Sequence, residues 1–286
     1  MRIRPLERSI ASRATSDGAG VRLRRSLGAD AASRVDPFLL LDEFCSDDPR
    51  DYRAGFPPHP HRGFETVTYM LAGRMHHEDS AGHRGELGPG DVQWMTAARG
   101  IVHAEMPRQS EGRMHGFQLW LNLPAARKMD PPWYRDIPAA QIPVVALAGG
   151  SEAAVIAGRF ESADGVRALG PAPERTTDPH YFDLRLAAGA AIELRLPETH
   201  AVLLYLYEGL ARTGAEDAPL PRQAAAVLGS GEAMRVVAGA AGARLLVLAG
   251  RPIGEPVVQY GPFVMTTRDQ IEQAIADYQA GRLGAL

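Results

Sequence analysis

Two histidines separated by one residue, His59 and His61, have the spacing that brings side chains to one face of a β-strand. Alternate side chains on a strand point the same way, and residues two apart lie about 6.5–7 Å apart at Cα. Imidazoles at that separation can converge on one metal ion. Gly63 and Glu65 continue on the same predicted face, which makes Glu65 a further candidate ligand.

A second pair with the same spacing, His103 and Glu105, follows later in the chain. Imidazole and carboxylate groups suit Fe, Mn, Ni, Cu and Zn, and affinity alone does not choose among these metals. Neutral imidazoles and one carboxylate would leave a divalent ion with a charge of about +1, which favours an anionic oxygen ligand. Two such pairs on two strands predict a four-ligand metal site inside a β-barrel.

The other histidines carry weaker signals, because most histidines in proteins are not ligands. His76 and His77 are adjacent and would face opposite ways on a strand. Together with His83, they are predicted to lie exposed around a hairpin. His115 alternates with Phe117 and is predicted to lie in the core or to support the site. Two histidines of the second half are given no role in a site: His180 and His200.

Short strands must position these residues. The chain contains 30 Gly and 22 Pro, spread evenly, which predicts frequent turns rather than long helices. Turn signals recur roughly every 8–15 residues, a rhythm typical of a β-sandwich or barrel. Residues 124–143 contain five prolines. We interpret them as a linker between an N-terminal domain, residues 1–123, and a C-terminal domain, residues 144–286.

The chain ends in a clear helical pattern. Thr267 and Gln270 have the spacing of a capping box. Ile271, Ile275 and Tyr278 recur at helical spacing and predict one apolar stripe. A terminal helix with a single stripe is expected to pack against a barrel wall.

The two halves of the chain resemble each other weakly, which predicts a repeated architecture. The sequence Gly88-Pro-Gly-Asp91 is echoed by Gly229-Ser-Gly-Glu232. At the offsets of this repeat, the four candidate ligand positions are taken by residues that cannot form the same site: Arg195, Pro197, Arg244 and Leu246. The second half is therefore predicted to repeat the fold without the metal.

Composition narrows the function further. A formal charge of −3, from 31 basic and 34 acidic residues, gives no basic field for direct nucleic-acid binding. The N-terminal residues lack the apolar region of a secretory signal, and the apolar runs are too short to span a bilayer. We therefore expect a cytoplasmic protein with no membrane partner. Cys45 is the only cysteine, and Asp47 and Asp48 are expected to raise its pKa and leave it structural.

The spaced motifs resemble those of the cupin double-stranded β-helix. Residues 59–73 follow the first cupin motif, with a His-x-His pair, Glu65 and a closing glycine. Residues 90–103 follow the second motif, with Ala98 in place of the usual proline. Two motifs in the correct order favour a metal-binding cupin over a β-domain with incidental histidines.

Within the cupins, the chain is similar to the pirin family. The stretches that carry this similarity are residues 36–44, 58–69, 88–95, 98–105 and 260–265. The resemblance implies an all-β fold of two tandem cupin barrels with a short C-terminal α-helix, and a metal in the N-terminal barrel only. The ligand set that it implies is His59, His61, His103 and Glu105. Glu65 then becomes an alternative fourth ligand or a carboxylate behind the ligands.

The pirin resemblance also implies a cofactor and an activity. The cofactor is one divalent metal ion, with Fe(II) preferred and Zn, Mn, Ni or Cu left open. The activity is ring opening of a flavonol-like substrate by O₂, as in quercetin 2,3-dioxygenases, with Glu105 or Glu65 as general base. The alternative is a non-enzymatic, iron-binding regulator that acts through a protein partner such as a transcription factor or a metabolic enzyme. We expect a monomer.

Overall fold

The computed structural model describes residues 1–172 and 174–284, and strands dominate it. The strands of the first half are β1 Leu6–Ala11, β2 Arg13–Asp17, β3 Val21–Leu27, β4 Phe38–Ser46, β5 Phe56–His61, β6 Phe64–Ala72, β7 Met75–Asp79, β8 Arg84–Leu87, β9 Val92–Thr96, β10 Ile101–Pro107, β11 Met114–Asn122 and β12 Trp133–Ile137.

The strands of the second half are β13 Val144–Leu147, β14 Ser151–Ala157, β15 Arg159–Glu161, β16 Arg167–Leu169, β17 His180–Leu186, β18 Ala191–Arg195, β19 Ala201–Thr213, β20 Ala218–Leu220, β21 Ala224–Leu228, β22 Ala233–Gly250, β23 Val258–Tyr260 and β24 Phe263–Met265. Within the described ranges one α-helix follows them, α1 Arg268–Gln279. Short 3₁₀ turns lie at Ala31–Ser33, Pro49–Asp51, Ala125–Arg127, Ala139–Gln141 and Ala148–Gly150.

One compact unit contains Arg13–Ala29, Phe38–Ala139 and the segment from Ile253 onward. It holds a seven-stranded sheet in the order β12-β9-β6-β11-β4-β3-β2 and a four-stranded sheet in the order β5-β10-β7-β8. Both sheets are antiparallel throughout. Aromatic and β-branched residues of β6, β9 and β11 favour strands and fill the interior. Val67 pairs with Trp94 on one side and Leu119 on the other, and none of these side chains is more than 1% exposed.

The other unit contains Met1–Ser12, Asp30–Pro37 and Ala140–Pro252. Its nine-stranded sheet follows the path β1-β21-β19-β22-β17-β14-β13, with β18 paired to β22 and β20 paired to β19. Aliphatic side chains of β19 and β22, such as Leu204, Leu206 and Leu245, form a continuous buried core. The predicted all-β fold with two units is confirmed.

The segment predicted to be a linker contributes a strand to the first unit. β12 pairs with β9, and its Ile137 is fully buried. This strand was not predicted, because the prolines at 131 and 132 directly precede it and indicate an interruption of secondary structure. The two compact units differ from the predicted division into 1–123, 124–143 and 144–286. Each unit includes a segment from the opposite end of the chain.

The terminal helix is confirmed together with its capping box. Thr267 accepts a hydrogen bond from the backbone of Gln270, whose side chain returns a bond to the Thr267 backbone. The buried face carries Ile271 and Ala274, which pack in an apolar cluster that also includes Val102 of β10. In the part of the chain that the structure describes, no helix is long and apolar enough to cross a membrane.

Candidate metal site

The three histidines predicted as ligands lie on neighbouring strands of the four-stranded sheet. His59 and His61 lie on β5, His103 lies on β10, and His59 is directly opposite His103 in the antiparallel pairing. Prolines alternate with the histidines along β5 and fix an extended backbone there. β5 tolerates them because it is the edge strand of its sheet, where missing N–H groups break no inner ladder.

The three imidazole rings form a compact cluster. The ring centroids of His59 and His61 lie 4.7 Å apart, those of His59 and His103 lie 4.4 Å apart, and those of His61 and His103 lie 4.8 Å apart. One nitrogen from each ring lies within 4.8 Å of the other two. His61 and His103 are buried, and His59 is half-buried. This cluster can hold one metal ion.

Hydrogen bonds show which ring nitrogens are available. Nδ1 of His59 lies 2.8 Å from the carbonyl oxygen of Pro57, to which it donates, so Nε2 keeps its lone pair. Among the described residues, Nδ1 of His61 and Nε2 of His103 are buried and have no hydrogen-bond partner. Leaving such a nitrogen unsatisfied costs about 1–3 kcal/mol. A metal bound at this cluster would satisfy both nitrogens.

The charge state of the rings also fits metal binding. Burial lowers the pKa of both His61 and His103 well below the usual value, and the neighbouring histidines lower it further. Both rings are therefore neutral at pH 7. Neutral imidazole is the form that binds metals.

Glu105 lies on β10, two residues after His103, and is 3% exposed. Two side chains of the seven-stranded sheet donate hydrogen bonds to its carboxylate. The hydroxyl of Thr68 donates to Oε1 at 2.9 Å, and the side-chain amide of Gln118 donates to Oε2 at 3.0 Å. Among the described residues, ligand atoms of the three histidines lie within 4.8 Å of one another. Glu105 is not part of that group.

Glu65 does not continue the strand of His59 and His61, so that prediction is wrong. β5 ends at His61, and the chain turns at Gly63, whose φ of 92° favours glycine. Glu65 then lies on β6 in the other sheet, where its Oε1 accepts a hydrogen bond from the hydroxyl of Thr96 at 2.6 Å.

The sequence interpretation missed His77, which it predicted to be exposed. His77 is fully buried on β7, and its Nδ1 lies 3.4 Å from Nδ1 of His103. Its Nε2 lies 3.4 Å from Oδ2 of Asp79, which also contacts Nδ1 of His83 at 2.9 Å. A line of hydrogen-bonding groups thus runs from His103 to His77 and on to Asp79. The signal was present in the sequence, since His77 and Asp79 repeat the two-residue spacing of the ligand pairs.

Aromatic rings border the cluster on one side. The rings of Phe64 and Trp120 meet the His61 ring nearly edge-on, at centroid distances of 5.1 Å and 5.3 Å. Phe64 and Trp120 also contact each other at 4.4 Å. This apolar wall limits the access of water to the buried side of the cluster and keeps the local dielectric low.

Comparison with protein families gives two matches. The family described as Pirin matches residues 20–121, and the family described as Pirin C-terminal cupin domain matches residues 181–284. The first match contains the histidine cluster and Glu105. The second match covers most of the unit that contains the nine-stranded sheet, together with the terminal segment and α1.

Individual relatives cover nearly the whole chain. A Pseudomonas aeruginosa protein named "Putative quercetin 2,3-dioxygenase" is 55% identical, over 94% of each chain. A pirin-like protein of Caulobacter vibrioides is 49% identical, over 99% of this chain and 100% of its own. Among solved structures, a quercetin 2,3-dioxygenase from Acinetobacter baumannii has a TM-score of 0.89 and 35% identity, and the match covers 99% of both chains.

Proposed function

The chain belongs to the pirin family, and we propose that it is a metal-dependent dioxygenase that opens the ring of a flavonol with O₂. The observation that carries this proposal is the pair of buried, unsatisfied nitrogens on His61 and His103, beside the available Nε2 of His59. Relatives and a solved structure with quercetin 2,3-dioxygenase names support the substrate class.

The residues that would hold the metal are His59, His61, His103 and Glu105. When bound, a divalent metal would supply a Lewis acid for the flavonol 3-hydroxyl oxygen and a redox centre for O₂. Fe(II) is our preferred ion. Zn, Mn, Ni and Cu also accept imidazole and carboxylate ligands, so the donor set alone does not select one.

Glu105 has the better position for proton transfer. Thr68 and Gln118 each donate to one carboxylate oxygen, and these bonds hold the group in one orientation. We assign Glu105 as the general base that takes the proton of the flavonol 3-hydroxyl. Glu65 is the alternative base, and it lies on β6 of the seven-stranded sheet, where it accepts a hydrogen bond from Thr96. Phe64 and Trp120 limit competing water on the side of His61.

The test begins with protein purified without chelators and analysed for metal. The metal-loaded chain is then incubated with quercetin in air, and flavonol absorbance and released CO are measured. We expect loss of flavonol together with CO, and neither with the His103→Ala variant. If the metal-loaded chain and His103→Ala consume flavonol at the same rate without CO, the dioxygenase proposal is wrong. Retention of one metal without turnover would favour the non-enzymatic regulator.

A further inference from the structure

A second group of reactive side chains lies on β4 and β11, apart from the histidine cluster. Cys45 of β4 is directly opposite His115 of β11. Glu43 of β4 is opposite Phe117, which lies two residues further along β11. Glu43 and Cys45 are two residues apart and therefore share one face of the strand. The cross-strand pairing thus brings a thiol, an imidazole and a carboxylate together.

The contacts within this group have the order of a nucleophile, a base and an orienting acid. Nε2 of His115 lies 3.0 Å from Oε1 of Glu43, and the His115 ring also hydrogen-bonds the sulfur of Cys45. Nη2 of Arg113 donates to the same sulfur at 3.3 Å. His115 and Glu43 are buried, whereas Cys45 is exposed. The polar partners are fixed and the sulfur remains accessible to a reagent.

The electrostatics favour a thiolate. The hydrogen bond from His115 lowers the pKa of the Cys45 thiol, burial opposes this effect, and the charges of His115 and Arg113 add to it. Burial alone would lower the pKa of His115, but hydrogen bonds to Cys45 and Glu43 raise it to about 9. The prediction that neighbouring acids raise the Cys45 pKa is therefore wrong. Asp48 pairs with Arg50 at 2.6 Å instead.

We infer that Cys45, His115 and Glu43 form a reactive-thiolate site, separate from the metal site, at which hydroperoxides oxidise the chain. The Cys45 thiolate attacks one peroxide oxygen, so that an S–O bond forms as the O–O bond breaks. The sulfur loses two electrons and becomes a sulfenic acid, while the departing oxygen leaves as water from hydrogen peroxide or as an alcohol from an organic hydroperoxide. The proton on His115 goes to the departing oxygen, and Glu43 holds the imidazole in place.

A thiol of this kind should be a better nucleophile than an ordinary one. A cysteine of normal pKa is only a few per cent thiolate at pH 7. A thiol with a lowered pKa is ionised to a larger fraction, but its lower basicity removes part of the gain, since nucleophilicity falls with pKa. We expect a net advantage of about tenfold in the rate of alkylation.

The test uses the full chain, whose single cysteine makes every thiol reaction a reaction of Cys45. Iodoacetamide alkylation at pH 7 is followed by intact mass, in the native chain and in the same chain unfolded in urea. We expect the native chain to react about tenfold faster. A second arm adds hydrogen peroxide and dimedone, which traps sulfenic acid, and should label Cys45. A native rate equal to or below the unfolded rate would overturn the proposal.

Variants separate activation from simple exposure. His115→Asn and Glu43→Gln should each slow alkylation of the native chain, and Asp47→Asn is the matched control with an unchanged rate. Glu43→Gln keeps the shape of the side chain, so it remains informative if His115→Asn fails to fold. Rates unchanged in Glu43→Gln and in a folded His115→Asn would contradict the triad.

Discussion

The two cupin units share an antiparallel scaffold but fill it differently. In the first unit, β5 and β10 carry the histidine cluster, and two of its buried nitrogens have no hydrogen-bond partner among the described residues. In the second unit, the corresponding strands β18 and β22 direct aliphatic side chains such as Leu194, Met234 and Leu245 into a continuous core. Each of these three side chains is fully buried.

In the second unit, the polar groups around Arg244 pair with one another. The hydroxyl of Tyr207 donates to Oδ1 of Asp183 at 2.5 Å, and Arg244 lies 3.6 Å from the other oxygen of the same carboxylate. The Arg244 guanidinium also lies over the Tyr207 ring. By the sequence repeat, Arg244 occupies the position of His103. The fold alone therefore does not create the site. In the first unit, nitrogens of three histidines lie within 4.8 Å of one another, whereas the described residues of the second unit form no such cluster.

Among variants that keep the three histidines, the largest effect on catalysis is expected from Glu105. Glu105→Gln keeps the shape of the side chain but removes the basic carboxylate, so kcat for flavonol loss should fall by about 10²–10⁴-fold. Glu65→Gln should lower kcat less than tenfold, because Glu65 lies on the other sheet and accepts from Thr96. Rates are measured at equal metal occupancy for both variants. A larger loss in Glu65→Gln would reverse the assignment of the base.

A smaller effect should follow from the residues behind His103. His77 and Asp79 orient the His103 ring through Nδ1, and such outer partners typically change metal affinity by about 10–100-fold. His77→Ala should weaken binding in this range, measured by competition with a chromogenic chelator. Asp79→Asn should give a smaller loss. The adjacent His76→Ala is the control, and equal losses in His76→Ala and His77→Ala would show that the effect is not orientation.

Much of this contrast could be predicted from the sequence. Strands impose a two-residue spacing, so His59 with His61 and His103 with Glu105 were visible without coordinates. The repeat offset placed Arg244 and Leu246 at the corresponding positions of the second half, which predicted a unit without these ligands. The capping box of α1 was equally visible, because it depends on residues close together in the chain.

The rest depends on contacts that spacing does not encode. A glycine at position 63 permits a turn or a strand, so the sequence did not show that Glu65 moves to another sheet. His77 looked exposed because hairpin histidines usually are, and only the pairing of β7 with β10 brings it against His103. For Cys45, the nearby acids in sequence were misleading, because His115 reaches it across the sheet.

The smallest effect on the metal is expected from the core of the second unit. Leu245 is fully buried among aliphatic side chains, so Leu245→Ala should lower the free energy of unfolding by about 2–5 kcal/mol through lost contacts and a cavity. Urea unfolding measures this loss, and metal analysis of the folded variant should still find one ion per chain. His103→Ala is the matched variant of the other unit, and it should lose the metal. If folded Leu245→Ala also lost the metal, the site would depend on the packing of the second unit as well as on the histidines, and the contrast between the two units would fail.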